Sequence, residues 1–118
     1  MRILLVEDDP MIGKSLREAL QDAGMSVDWA RSGEDGEVAL SVGAYAVVLL
    51  DIGLPGLDGF EIAERIRAQP RHRNVRLVAI TGYGQDADRA RTREAGFADH
   101  LVKPVDFTEL NRVLASMH

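Results

Sequence analysis

Five short apolar runs recur along this chain, and longer polar segments with a helical period separate them. The runs occupy residues 3–6, 27–30, 47–50, 77–80 and 101–102. Runs that are apolar throughout suit strands covered on both faces, as in a parallel sheet flanked by helices. The alternation therefore predicts an α/β fold made of five strand–helix units.

Residues that start and stop helices lie between these runs. Asp9 and Pro10 are suited to the N-cap and first turn of a helix that Gly24 closes. Ser32 is suited to capping a second helix, and Asp106 to opening the last one. The predicted buried faces of the first, third and last helices are Ile12, Leu16 and Leu20; Phe60, Ala63 and Ile66; and Leu110, Val113, Leu114 and Met117.

Composition narrows the classes of protein that this chain can belong to. The 118 residues have the usual size of one domain, and we interpret residues 1–118 as one. No apolar run is long enough to cross a bilayer and the N-terminus lacks a secretory pattern, so we expect a cytoplasmic protein without membrane insertion. The absence of cysteine excludes disulfides and thiol catalysis. A net charge of −5 disfavours direct nucleic-acid contact, and we interpret the basic stretch 71–76 as a solvated loop.

Acidic residues follow two of the predicted strands at their carboxyl ends. Glu7 and Asp8 come directly after the first run, and Asp51 comes directly after the third. The ligand crevice of an open parallel sheet lies outside these ends, so the three carboxylates converge if the two strands are neighbours. Carboxylates that meet in one crevice repel each other unless a cation neutralises them. Mg²⁺ (or Mn²⁺) prefers such oxygen ligands, and the pattern therefore predicts a divalent-metal site.

A hydroxyl and an ammonium group follow the same rule at the last two strands. Thr81 ends the fourth run and Lys103 follows the fifth. Singly, each of these residues has an ordinary alternative, because an acid after a strand is often a helix cap and a lone Thr or Lys there is often solvated. Together, a carboxylate nucleophile, a metal, a lysine and a hydroxyl are what phosphoryl transfer requires.

The chain resembles the receiver domain of bacterial response regulators over essentially its whole length. The motifs that carry the resemblance are Val6-Glu7-Asp8-Asp9, the segment 51–59 with the sequence DIGLPGLDG, Thr81-Gly82 and Lys103-Pro104. The resemblance implies a flavodoxin-like, doubly wound fold in which a five-stranded parallel sheet of order 2-1-3-4-5 is flanked by five helices.

The resemblance also implies a phosphoacceptor site with a bound metal. Asp51 would take a phosphoryl group from a phosphohistidine on a sensor histidine kinase or a histidine phosphotransfer protein. Glu7, Asp8, Asp51 and the backbone carbonyl of Gly53 would surround Mg²⁺, directly or through water.

The same resemblance implies a switch and a special peptide bond. Thr81 and Lys103 would bind the phosphoryl oxygens, and the Lys103–Pro104 bond would be cis. Phosphorylation would draw Thr81 inward and let an aromatic ring three residues before the lysine turn with it. This chain has His100 at that position, which departs from the family pattern.

Three kinds of function remain open on these residues. The first is a signalling switch that catalyses only its own phosphorylation and dephosphorylation. A turnover phosphatase is disfavoured, because its second acid is expected two residues after the nucleophile and Gly53 stands there. A degenerate receiver that serves only as a dimerisation surface is disfavoured by the retention of the acids, Thr81 and Lys103.

The output of such a switch is also left open. The first half of the chain resembles receivers that precede winged-helix DNA-binding domains, whereas the second half resembles receivers attached to hybrid histidine kinases. The output partner would be a downstream protein or an output domain, and the chain would be a monomer or a phosphorylation-dependent dimer.

Two further predictions concern the region after the fourth strand. Residues 86–95 contain no large apolar side chain, so we expect a loosely held, mobile helix there. We also expect Tyr83 to influence the lifetime of the phosphoryl group more than Gly53 does, because Tyr83 would cover one side of the site.

Overall fold

The strands form one parallel sheet in the computed structural model, which describes residues 2–53, 59–82 and 92–116. The strands are β1 (Arg2–Val6), β2 (Ser26–Ala30), β3 (Val47–Asp51), β4 (Arg76–Thr81) and β5 (Asp99–Val102). Their order in the sheet is β2-β1-β3-β4-β5, and every neighbouring pair is parallel. The strand order predicted from the resemblance is confirmed.

Helices cover both faces of this sheet. They are α1 (Pro10–Asp22), α2 (Gly33–Val42), α3 (Gly59–Arg67), α4, which is described over residues 92–94, and α5 (Phe107–Ala115). Two separate groups of buried apolar side chains lie on opposite sides of the sheet. One contains Leu16 of α1 and Leu110 of α5, and the other contains Leu40 of α2 and Ile66 of α3. The distribution of helices over both faces is that of a doubly wound fold.

The central strands are buried on both faces, which explains their uninterrupted apolar sequence. Val47 and Leu49 contribute to the core beneath α1 and α5, whereas Val48 and Leu50 contribute to the opposite core. All five residues of β3 are buried, including its last residue, Asp51. Two-sided packing thus places an ionisable group at the carboxyl end of an otherwise apolar strand.

The predicted helix ends agree with the structure where it is described. The Asp9 carboxylate accepts hydrogen bonds from two amides of the first turn of α1, and Pro10 is the first residue of that helix. Ser32 caps α2 and Asp106 caps α5 through their side-chain oxygens. Gly24, after α1, has a φ of 87°, a backbone conformation that glycine adopts without strain.

The basic stretch 71–76 is not simply a solvated loop. Residues Pro70–His72 form a short 3₁₀ helix, and Arg76 begins β4. His72 is only 6% exposed, so this part of the prediction is wrong. The turn packs back onto the sheet because Val75 enters the core there.

Some predicted features lie outside the described residues. These are Tyr83, residues 86–91 of the segment expected to be a mobile helix, the motif residues 54–58, and Met117. Within the described part of the chain, no helix combines the length and the apolar character needed to span a membrane.

Candidate functional site

Three carboxylates converge where β1 and β3 end side by side. Glu7 and Asp8 directly follow β1, and Asp51 is the last residue of the adjacent strand β3. One carboxylate oxygen from each residue lies within 4.8 Å of the others. Glu7 and Asp51 are buried, whereas Asp8 is exposed and borders solvent. The parallel topology therefore builds the acidic cluster that the sequence predicts.

Lys103 reaches this cluster from the far side of β4. It directly follows β5, and its Nζ atom donates hydrogen bonds to Asp51 Oδ2 at 2.8 Å and to Glu7 Oε1 at 3.0 Å. The bond between Lys103 and Pro104 is cis. A single ammonium group thus bridges the two buried carboxylates.

The loop after β3 supplies a second donor to the same carboxylate. The backbone amide of Gly53 donates to Asp51 Oδ1 at 2.8 Å. Both oxygens of Asp51 therefore have a donor, one cationic and one neutral. The family resemblance implies that the carbonyl of Gly53 is a metal ligand, and the structure adds a contact to Asp51 through the amide of the same residue.

Burial makes Glu7 the more basic carboxyl of this pair. Desolvation, together with the adjacent Asp51 carboxylate, raises the pKa of Glu7 to about 7, although Lys103 acts in the opposite direction. Burial also disfavours the charged form of Asp51, but the neighbouring Glu7 carboxyl, Lys103 and the Gly53 amide outweigh it and lower the pKa of Asp51. Asp51 is consequently the more acidic member of the pair.

The donor set fits a hard divalent cation. The cluster offers three carboxylates, of which two are buried. Lys103 bridges the two buried carboxylates, those of Glu7 and Asp51. Glu7 is fully buried, yet its Oε2 atom has no hydrogen-bond partner among the described residues. A buried oxygen without a donor is costly, and a cation satisfies it. Glu7, Asp8 and Asp51 are therefore the residues that could hold Mg²⁺.

Thr81 lies at the carboxyl edge but forms its described contact with the neighbouring strand. It is the last residue of β4 and is 4% exposed. Its hydroxyl donates to the carbonyl oxygen of Leu101 in β5 at 3.4 Å. The hydroxyl is thus engaged with the β5 backbone, while Lys103 carries the direct contacts to the acids.

His100 lies on β5, the edge strand next to Thr81. It is half-buried, pairs in register with Ala79, and donates its backbone amide to Asp99 Oδ1 at 2.8 Å. His100 directly precedes Leu101, whose carbonyl oxygen accepts the hydrogen bond from the Thr81 hydroxyl.

The sequence analysis missed one residue that touches the site. Trp29, in β2, donates its indole N–H to the backbone carbonyl oxygen of Glu7 at 2.9 Å. One signal was available in the sequence: Trp29, the only tryptophan of the chain, stands near the carboxyl end of a predicted strand. Without the pairing of β1 with β2, that position had no evident relation to the acids.

The chain is thus an open parallel α/β protein with an acidic, lysine-bridged site at the carboxyl edge of its sheet, where such folds bind ligands. The sequence profile of the response regulator receiver domain matches residues 3–115. The chain therefore belongs to the response regulator receiver family, whose members act as signalling switches.

A curated relative supports this assignment. The chain is 39% identical over 110 residues to the transcriptional activator protein IrlR of Burkholderia pseudomallei. The match covers 93% of this chain and 47% of that relative. The chain thus spans about half the length of this relative.

Solved structures agree in fold. A putative response regulator from Chloroflexus aurantiacus superposes with a TM-score of 0.93 at 28% identity, covering 98% of this chain and 95% of that one. The receiver domain of the sensor histidine kinase PA1611 from Pseudomonas aeruginosa superposes with a TM-score of 0.89 at 34% identity, with the same coverage of 98% and 95%. That second structure has a magnesium ion coordinated in its active-site cleft.

Proposed function

We propose that this protein is a phosphoacceptor switch in which Asp51 takes a phosphoryl group from a phosphohistidine. The donor would be a sensor histidine kinase or a histidine phosphotransfer protein, and the exchange would take place in the cytoplasm. The observation that carries the proposal is the bridge from Lys103 to Asp51 and Glu7 at 2.8 and 3.0 Å. Such a bridge keeps the nucleophile ionised in a buried site.

The transfer forms an O–P bond at Asp51 and breaks the N–P bond of the donor, whose imidazole leaves. An oxygen of Asp51 must be free to attack, and both oxygens have donors in the structure. Lys103 therefore exchanges its contact with Asp51 for one with a phosphoryl oxygen as the new bond forms. The ammonium group of Lys103 would then stabilise the negative charge on that phosphoryl oxygen.

A divalent ion is part of this proposal. Glu7, Asp8, Asp51 and the carbonyl of Gly53 would hold Mg²⁺ (or Mn²⁺), and the ion would neutralise charge on the phosphoryl oxygens. Support comes from the buried Oε2 atom of Glu7, which has no hydrogen-bond partner among the described residues, and from the magnesium in the related PA1611 receiver.

Thr81 and His100 are the switch residues of the proposal. A phosphoryl group on Asp51 would offer the Thr81 hydroxyl a charged acceptor in place of the neutral Leu101 carbonyl, which it meets at a long 3.4 Å. Release of that carbonyl would loosen β5 next to His100. The output would be altered affinity for a downstream protein or an output domain, or dimerisation of the phosphorylated chain.

A turnover phosphatase is the weaker alternative. Its general acid would stand two residues after the nucleophile, where Gly53 contributes only backbone groups. The chain would therefore catalyse only its own phosphorylation and dephosphorylation.

The test uses acetyl phosphate with and without Mg²⁺ and measures the mass of the intact protein. Wild type should gain one phosphoryl group only with the metal, and Asp51→Asn should gain none. Asp9→Asn is the matched control, because Asp9 caps α1 as an exposed acid and asparagine also caps helices. Modification of Asp51→Asn, or modification of wild type without metal, would refute the proposal.

A further inference from the structure

Trp29 connects β2 to the backbone of a residue in the acidic cluster. The indole ring is half-buried and packs against the core beneath α1 and α5. Its Nε1 atom donates to the carbonyl oxygen of Glu7 at 2.9 Å. This hydrogen bond joins residues 22 positions apart, and its donor is a side chain and not a backbone amide of the sheet.

The bond holds Glu7 where the regular ladder stops. The last register pair of β1 and β2 is Val6 with Ala30, and the Glu7 amide donates to the Ala30 carbonyl at 3.0 Å. The Glu7 carbonyl lies one step beyond that ladder, and the indole of Trp29 supplies its donor. Both polar groups of the Glu7 backbone are thus bound by the end of β2.

Fixing this carbonyl fixes two carboxylate-bearing residues at once. The carbonyl of Glu7 belongs to the peptide unit that joins Glu7 to Asp8, and a peptide unit is planar. Its orientation therefore restricts ψ of Glu7 and φ of Asp8, and with them the directions that both side chains can take. Glu7 and Asp8 supply two of the three carboxylates whose oxygens lie within 4.8 Å of each other.

The indole ring is itself held in place on several sides. A Cβ atom added to Gly13 of α1 would lie 2.1 Å from Cζ2 of Trp29, so the ring occupies the space that any other residue would need. The guanidinium groups of Arg17 and Arg31 each lie 5.3 Å from the ring centre, within range of cation–π attraction. A donor held this firmly can orient its acceptor.

We propose that Trp29 is a positioning residue for the metal site, acting on Glu7 and Asp8 through the Glu7 carbonyl. This inference rests on the proposed function, because it assumes that these carboxylates bind a divalent ion. It also makes Trp29, the only tryptophan, a spectroscopic reporter of that site.

The test compares Trp29→Phe with Val27→Ala. Phenylalanine keeps an aromatic ring and removes the N–H donor. Val27 is partly buried in the same strand and packs against the same core, so its truncation perturbs packing without touching Glu7. We expect the Mg²⁺ dissociation constant of Trp29→Phe, measured by calorimetry, to rise about 10-fold, as when a residue that orients a ligand is lost. Val27→Ala should bind Mg²⁺ with the affinity of wild type, even where unfolding in EDTA shows that it loses as much stability as Trp29→Phe.

A second measurement uses the wild-type chain and needs no variant to fold. The single indole ¹⁵N–¹H resonance should shift on addition of Mg²⁺ and saturate with the dissociation constant found by calorimetry. An indole resonance that stays unmoved at saturating Mg²⁺, or equal affinities for Trp29→Phe and Val27→Ala, would overturn the positioning role alone. Failure of wild type to bind Mg²⁺ or to accept a phosphoryl group from acetyl phosphate would overturn the proposed function, and this inference with it.

Discussion

The Nζ atom of Lys103 lies 2.8 Å from Oδ2 of Asp51, although the two residues belong to strand ends separated by β4. The lysine side chain spans this distance and also reaches Glu7. Burial disfavours the ammonium form, but the two carboxylates outweigh it and raise the pKa of Lys103. One cation thus neutralises much of the charge in the site before any ligand arrives.

Removing this cation should separate metal binding from phosphoryl transfer. In Lys103→Met the repulsion between the ammonium group and Mg²⁺ is lost, so we expect Mg²⁺ affinity to rise several-fold. Phosphoryl incorporation from acetyl phosphate should fall about 100-fold, the usual scale when one donor to a developing anion is removed. Calorimetry and intact-protein mass measure the two quantities.

The chain offers a matched control for that experiment. Lys14, the only other lysine, is exposed on α1. Lys14→Met makes the same chemical change and should leave both quantities as in wild type. If Lys103→Met bound Mg²⁺ more weakly than wild type, the main role of the Lys103 side chain would be to hold the carboxylates in place and not to balance charge.

The raised pKa of Glu7 predicts that metal binding depends on pH. Glu7 titrates at about 7 in the metal-free protein and must lose its proton to bind a cation. Apparent Mg²⁺ affinity should therefore increase as pH rises through 7, by about 10-fold between pH 6 and pH 8. Calorimetry in buffers of different ionisation enthalpy would also detect the released proton.

Glu7→Gln removes the titrating group while keeping the size of the side chain. This variant should bind Mg²⁺ more weakly at pH 8 and with little dependence on pH. An unchanged pH dependence in Glu7→Gln would assign the proton to another member of the cluster.

The sequence predicted the five strand–helix units and the acids at the strand ends because each of those signals is local, whereas the strand order came from the family resemblance. An apolar run shows burial on both faces of a strand, and Asp51 is visible as the acid that ends one. The hydroxyl of Thr81 could not be placed in this way, because its contact with Leu101 depends on how β4 pairs with β5. The bond from Trp29 to Glu7 likewise depends on the register of β1 against β2.

We expect Gly59 to be required for the close approach of α3 to Ile52. A Cβ atom added at Gly59 would lie 2.5 Å from the Cα atom of Ile52, a backbone atom that cannot turn away. Gly59→Ala should therefore destabilise the fold by about 1–3 kcal/mol, the scale of overpacking, and should also weaken Mg²⁺ binding by shifting Ile52. Urea unfolding and calorimetry measure the two effects.

Gly82→Ala is the control, because a Cβ atom added there has nothing within 4 Å among the described residues. Its stability should stay within about 0.5 kcal/mol of wild type. A Gly59→Ala protein as stable as Gly82→Ala would mean that α3 moves away from Ile52 at little cost.

His72 should make the protein less stable on the acid side of neutrality. Its side chain is buried, and its Nε2 atom has no hydrogen-bond partner in the described part of the chain. Desolvation, with a smaller contribution from Arg71, lowers the pKa of His72 below its ordinary value of 6.5. The unfolded chain therefore binds a proton that the folded chain resists.

The sign of the pH effect follows from this difference in proton binding. Stability should be retained above pH 6.5 and lost as pH falls through that value, with a slope of at most about 1.4 kcal/mol per pH unit from this residue. Urea unfolding of wild type and His72→Gln from pH 7.5 to 5 should show a steeper loss for wild type. Equal slopes for wild type and His72→Gln would mean that His72 binds its proton as readily in the folded protein as in the unfolded chain.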